Sequence, residues 1–159
     1  MIGRKGDTGL IISCDHVFDG GVRQPYVIFN NGYKAPATVV GRDRQLDLSA
    51  MIIRAPAGIG TPKGVRAARP DDKVFMAVGF PWYSQGGQNY TIGAYLGYSG
   101  FDVQFNARPY VHSGFSGGAL ITQEGYFVGV VCGYGQGYSY ASSGDGMVRF
   151  IDRWMETIQ

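Results

Sequence analysis

Cysteine is scarce. Cys14 and Cys132 are the only two in 159 residues, too few for a disulfide-stapled scaffold. Histidine is equally rare: His16 and His112, at spacings that with the two cysteines match no zinc pattern. No metal and no other cofactor is expected. Charge is sparse and balanced, with 14 Lys and Arg against 12 Asp and Glu and a net charge of +2. There is no block of like charge and no basic stripe, so a nucleic-acid partner is not expected. The longest uncharged stretch, Val74 to Phe101, is broken by Gly, Pro, Ser, Gln and Asn. It does not read as a membrane span. The opening Met1-Ile2-Gly3-Arg4-Lys5-Gly6 has no apolar signal region, and no compartment is assigned. Leucine is also rare: five residues, against 25 Val and Ile. β-Branched side chains suit a pleated surface and lose rotamer freedom in a helix, so strands are favoured.

Short apolar runs recur between turn signals. They are Gly9 to Ser13, Pro25 to Phe29, Ala37 to Val40 and Ala50 to Ile53. A second series comprises Val74 to Gly79, Tyr90 to Tyr98, Phe101 to Phe105, Gly118 to Thr122, Phe127 to Cys132 and Gly146 to Phe150. Asn30-Asn31-Gly32 reads as a tight turn, because these residues tolerate positive φ. Strands this short and frequent predict an all-β barrel or sandwich. Between the two series, Ala55 to Lys63 is rich in Pro, Gly and Ala and reads as a linker. At the end of the chain Ile151, Trp154, Met155 and Ile158 fall at i, i+3, i+4 and i+7, the spacing of one helical face. The tract Gly133 to Gly146, with Tyr134, Tyr138 and Tyr140 among Gly and Ser, reads as a surface loop or an aromatic binding loop.

Three patterns carry chemistry, in this order. An apolar strand ends in Cys14-Asp15-His16. Asp47 immediately precedes the strand Leu48 to Ile53. Ser116 stands in Gly114-Phe115-Ser116-Gly117-Gly118 before another strand. Each is weak alone. Their order on an all-β chain resembles the trypsin-like (chymotrypsin-fold) serine peptidases, in their disulfide-poor bacterial and viral branch. "DLSAMII" and "GFSGGAL" are similar to that family's aspartate strand and nucleophile loop, and "FVGVVCGYG" to its substrate-groove strand. The resemblance implies two six-stranded-type antiparallel β-barrels and a C-terminal helix. Residues 1–60 would carry His16 and Asp47, and residues 70–159 would carry Ser116. It implies a serine endopeptidase acting on polypeptides, with the N–H groups of Gly114 and Ser116 as oxyanion hole. The chemistry fits these residue types. A serine hydroxyl needs an adjacent base, histidine titrates near neutrality, and a carboxylate fixes the imidazole tautomer. The alternative is a catalytically silent domain of the same fold that binds protein; a carbohydrate-binding β-domain would leave the ordered His, Asp and Ser without a purpose.

The sequence departs from the family at several positions. Phe115 replaces a more usual polar residue. Asp15 puts a charge beside His16. Cys132 stands where a serine is common near the aspartate, so Asp47 is expected to be less well satisfied. Both cysteines are expected to be free, buried thiols. The first barrel lacks strands upstream of the histidine strand, with Met1 to Arg4 resembling half of a hairpin. A partner strand, or the remainder of a longer polypeptide, is expected to complete it. The resemblance places Tyr110 at the base of the primary pocket, with His112, Val131, Cys132, Gly133 and Tyr134 beside it. No acidic residue stands at that base, so a small or medium uncharged side chain is expected there.

Overall fold

The computed structural model describes residues 1–21, 24–81 and 87–158. The first half of the chain forms a five-stranded antiparallel sheet. Its strands are β1 (Gly3–Lys5), β2 (Thr8–Ser13), β3 (Tyr26–Ile28), β4 (Lys34–Asp43) and β5 (Leu48–Arg54), in the order β1-β2-β5-β4-β3. Among the described residues the edges β1 and β3 do not pair, so this sheet stays open. Met1 to Arg4 does form half of a hairpin, with Gly3 opposite Leu10. The Asn30–Gly32 turn forms as expected: Gly32 has φ of +80° and its N–H donates to the carbonyl of Phe29 at 2.9 Å.

The second half is a closed barrel. β7 (Phe75–Gly79), β8 (Asn89–Ser99), β9 (Asp102–Arg108), β12 (Tyr138–Ser142), β11 (Tyr126–Gly135) and β10 (Ala119–Thr122) follow one another around it, and β10 also pairs with β11. Closure removes the exposed edges that an open sheet leaves. A two-residue strand, β6 (Gly64–Val65), lies parallel to β11 outside the ring. It follows directly on the Pro- and Gly-rich connection Ala55 to Lys63.

Two expectations are corrected at the C-terminal end. Gly146 to Phe150 is not a strand but the start of the helix α1 (Gly144–Thr157), which buries Met147, Phe150 and Ile151. Five consecutive residues of mixed size do not separate a strand from a helix. Gly133 to Gly146 is not a loop: it holds the end of β11, all of β12 and the first turn of α1.

Why β2 and β5 read as continuous apolar runs is now apparent. Successive side chains point to opposite faces, and both faces are covered. Leu10, Ile12, Leu48 and Ala50 pack with Phe127 and Val130 of the barrel and with Met147, Phe150 and Ile151 of α1. Ile11, Met51 and Ile53 turn the other way, onto Phe18 and Ala35. The helix therefore closes the junction between the sheets. Its Trp154 lies against Gly41, where an added Cβ would come within 2.2 Å of the indole ring. The barrel has its own interior of Phe75, Val103, Phe105, Val111, Phe115, Leu120 and Val128.

Candidate active site

His16 opens a single 3-10 turn, His16–Phe18, directly after β2. Asp47 ends the turn that joins β4 to β5 and has φ of +51°, a conformation that Asp tolerates better than most residues. The turn is held by the N–H of Leu46, which donates to Asp43 Oδ1 at 3.0 Å. β2 and β5 are direct neighbours, with Ser13 opposite Ser49, so the residues just beyond their ends meet. Asp47 Oδ2 lies 2.7 Å from His16 Nδ1, and the backbone N–H of His16 donates to Asp47 Oδ1 at 2.8 Å. A carboxylate only accepts, so Nδ1 carries the proton and Nε2 presents its lone pair.

Asp15 does not compete for His16. It is almost fully buried and its carboxylate accepts from Arg42 Nε, with Arg44 Nε at 3.8 Å. Arg42 went unremarked in the sequence. Next to last in β4 it looks like an ordinary surface cation, and only the register of β4 on β5 brings it to Asp15.

Ser116 stands in the loop before β10. Gly114 has φ of +97°, and a Cβ there would fall 2.5 Å from the carbonyl oxygen of Phe80. At Gly117, φ is +81° and a Cβ would strike Ser13 Oγ at 2.2 Å. Only glycine fits either position. Phe115, the apparent departure, points inward and is 1% exposed. It anchors the loop in the barrel core, which explains why a polar residue is dispensable there. Among the described residues the N–H groups of Gly114 and Ser116 make no hydrogen bond, whereas that of Phe115 donates to the carbonyl of His112 at 3.0 Å. The Ser116 hydroxyl donates to the carbonyl of Cys132 at 3.3 Å and not to His16. Cys132 is the extra residue of a β-bulge, between the pairs Val131–Ala141 and Gly133–Tyr140. Bulges re-aim backbone groups beside sites of this kind.

Cys14 joins the two halves. Its thiol donates to the carbonyl of Val131 and accepts from the N–H of Gly117, each at 3.0 Å. The strand that leads to His16 is thus fastened to the loop that carries Ser116. Its carbonyl in turn accepts from the hydroxyl of Ser49 at 3.0 Å. The sequence marked Cys14 as a buried free thiol, and both cysteines are free, but its role as a fastener appears only in three dimensions. Cys132 Sγ donates to Val130 and accepts from the N–H of Ser142 at 3.1 Å. Its donor is therefore not spent on Asp47, which is satisfied instead by the two bonds from His16. The neighbouring Cys14 thiol and burial push the Cys132 thiol up, so it stays protonated at neutral pH.

Cys14, Asp47 and Cys132 offer ligand atoms within 4.8 Å of one another. All three are already engaged, the thiols by backbone and the carboxylate by His16, and a metal ion there would have to break those bonds. No helix among the described residues is long and apolar enough to cross a membrane.

The residues expected around the primary pocket divide. His112 and Tyr134 meet edge to face, with ring centroids 6.1 Å apart. Tyr110 is partly exposed, and the Arg108 guanidinium lies 4.4 Å from its ring centroid. Val131 is wholly buried in the barrel core; at the site it contributes its carbonyl. Gly133 follows the bulge on β11. Asp145 lies exposed in the first turn of α1, where a carboxylate complements the helix dipole.

The family described as the trypsin-like peptidase domain matches residues 2–130. No curated protein matches the chain. Among solved structures, the serine endoprotease from Yersinia pestis is similar to it, with a TM-score of 0.78 and 24% identity over 95% of this chain. The chain spans 55% of that protein's length, and at this identity the likeness is one of fold. The order of His16, Asp47 and Ser116 therefore agrees with a match over more than half of the sequence: the chain belongs to the trypsin-like peptidase domain family.

Proposed function

We propose that this protein is a serine endopeptidase that hydrolyses polypeptides through an acyl-enzyme. Ser116 is the nucleophile, His16 the general base and Asp47 the group that orients it. Residues 1–60 and 70–159 act as two units, one bringing the base and the other the nucleophile. The hydroxyl of Ser116 turns from the Cys132 carbonyl to His16 Nε2. Oγ attacks the peptide carbonyl as its proton passes to Nε2. The N–H groups of Gly114 and Ser116 donate to the developing oxyanion, a contribution of about 2.7–4 kcal/mol for each donor in such sites. The C–N bond then breaks and His16 returns the proton to the departing amine. Water repeats the sequence on the ester and releases the acid. A further strand, from a partner or from additional chain, would add at the open edge of β1 or β3.

The observation that carries this reading is the 2.7 Å contact of Asp47 Oδ2 with His16 Nδ1, which sets the tautomer a base requires. A fluorophosphonate probe tests it. Labelling of the wild type, lost in Ser116→Ala, supports the peptidase. A folded wild type that is neither labelled nor active supports the silent, protein-binding alternative.

A further inference from the structure

β11 passes Ser116 at Cys132 and runs on to Gly135. β12 covers one edge of this stretch. The other edge pairs with β10 only as far as Val130, and the N–H of Val131 donates to the carbonyl of Gly118 at 2.8 Å. Beyond that, among the described residues, no strand takes the edge of Cys132 to Gly135. An extended polypeptide adds to such an edge through main-chain hydrogen bonds.

Three residues of strand cover about 10 Å. Alongside this stretch lies a cavity of about 340 Å³, lined by Gln136, Tyr138 and Gly135 at its far end, by Gln104 and Tyr140 in the middle, and by Asp102 at the end level with Val130. Gln104 faces Tyr140, and Asp102 faces Ser142, across β9 and β12. Gly133 and Gly135 keep this face of the barrel open. A Cβ at Gly133 would come within 3.3 Å of the Tyr140 ring.

The carboxylate of Asp102 is half-buried and has no cation and no hydrogen-bond partner among the described residues. Burial raises its pKa, and the nearby negative charge of Asp47 adds to that. A carboxylate withdrawn from water without a partner is costly, and the faces of tyrosine rings attract cations. The cavity thus combines unpaired negative charge, aromatic walls and amide acceptors, and it borders β11, the strand that passes Ser116.

We propose that this cavity is a cation subsite, which takes a lysine or arginine side chain of the polypeptide substrate. The inference rests on the peptidase reading above. An antiparallel substrate along Cys132 to Gly135 would place that side chain about two to four residues before the scissile bond. The preferred substrates are then polypeptides with a basic residue upstream of the cleaved bond and an uncharged residue immediately before it.

Peptides that differ only in Arg, Lys, citrulline or norleucine at each of these upstream positions test the proposal. Citrulline keeps the shape of arginine and removes its charge. At one position, kcat/KM for Arg and Lys should exceed that for citrulline about tenfold or more. The ratio should collapse in Asp102→Asn, and also in Gln104→Lys, which puts a competing ammonium into the cavity. The ratio is read within each variant, so an indirect effect of Asp102 on Asp47 cancels. Binding of a fluorescein-labelled Arg peptide to Ser116→Ala, followed by anisotropy, gives the same comparison without catalysis. Equal kcat/KM for Arg and citrulline in the wild type, or a preference that survives in both variants, overturns the subsite and leaves the peptidase reading intact. A folded wild type that fails to hydrolyse any peptide overturns the peptidase reading, and anisotropy with the Arg and citrulline peptides then decides the subsite by itself.

Discussion

Asp47 holds His16 at two points: Oδ2 accepts from the ring Nδ1–H at 2.7 Å and Oδ1 from the backbone N–H at 2.8 Å. One carboxylate therefore fixes both the imidazole tautomer and the backbone that carries it. Two charge-assisted hydrogen bonds on one residue also offset the cost of the left-handed conformation at Asp47.

Replacing Asp47 by Asn should separate these roles. The amide keeps one acceptor oxygen, so the turn survives. Its NH2 group, facing Nδ1, favours the tautomer with the proton on Nε2. The expected result is a fall in kcat of about 10⁴ with little change in melting temperature. His16→Ala and Ser116→Ala should reach a similar floor, and the double variant should be scarcely worse, because such residues act as a unit. Additive losses would sink the assignment.

Cys14 should behave as a fastener and not as a reactive thiol. Being fully buried, it should resist Ellman's reagent in the native state. Cys14→Ser keeps a donor and an acceptor and should retain most activity. Cys14→Ala removes both thiol hydrogen bonds, while the Gly117 N–H keeps its own bond to the Val131 carbonyl at 2.8 Å, and should cost about 1 kcal/mol in urea unfolding. Equal stability of the two variants would contradict the role.

A third prediction concerns acid. Burial alone would raise the pKa of Asp72, but it is outweighed by Arg66, whose two guanidinium nitrogens lie 2.8 and 2.6 Å from the carboxylate, and by the N–H of Arg69 at 2.8 Å. The folded pKa lies below the ordinary 3.8. This stabilisation is present above that value and is lost as pH falls through the folded pKa. Asp72→Asn should therefore lower the urea midpoint at neutral pH, and the gap to wild type should narrow as the pH falls from 3.8 through the lower folded pKa. A gap that is constant with pH would show that the ion pair is not responsible.

Cleavage immediately after Arg or Lys should be disfavoured. Tyr110, expected at the base of the primary pocket, already carries the Arg108 guanidinium on its ring, and a second cation beside it would be repelled. A digest of a peptide library, read by mass spectrometry, checks this. Dominant cleavage after basic residues would show that Tyr110 is not the base of the pocket.

Local order was legible in the sequence wherever one residue type answers one local demand. The strands β2 and β5, the Asn-Asn-Gly turn and the glycines around Ser116 are of this kind, since their backbone conformations restrict which side chains fit. The candidates His16, Asp47 and Ser116 were legible because their order along the chain is itself a pattern. Local signals failed at Gly133 to Gly146, where glycines and tyrosines suggested a loop. β12 forms there because β9 and β11 offer it two edges, and β9 lies some thirty residues away along the chain. The same holds for the pairing of Arg42 with Asp15, for the anchoring of Phe115 in the barrel and for Cys14 as the tie to the nucleophile loop. It holds too for the exposed edge and the unpaired Asp102 beside it. Each depends on strand register and on how two sheets pack through α1, and long-range packing of that kind leaves no periodic trace in the sequence.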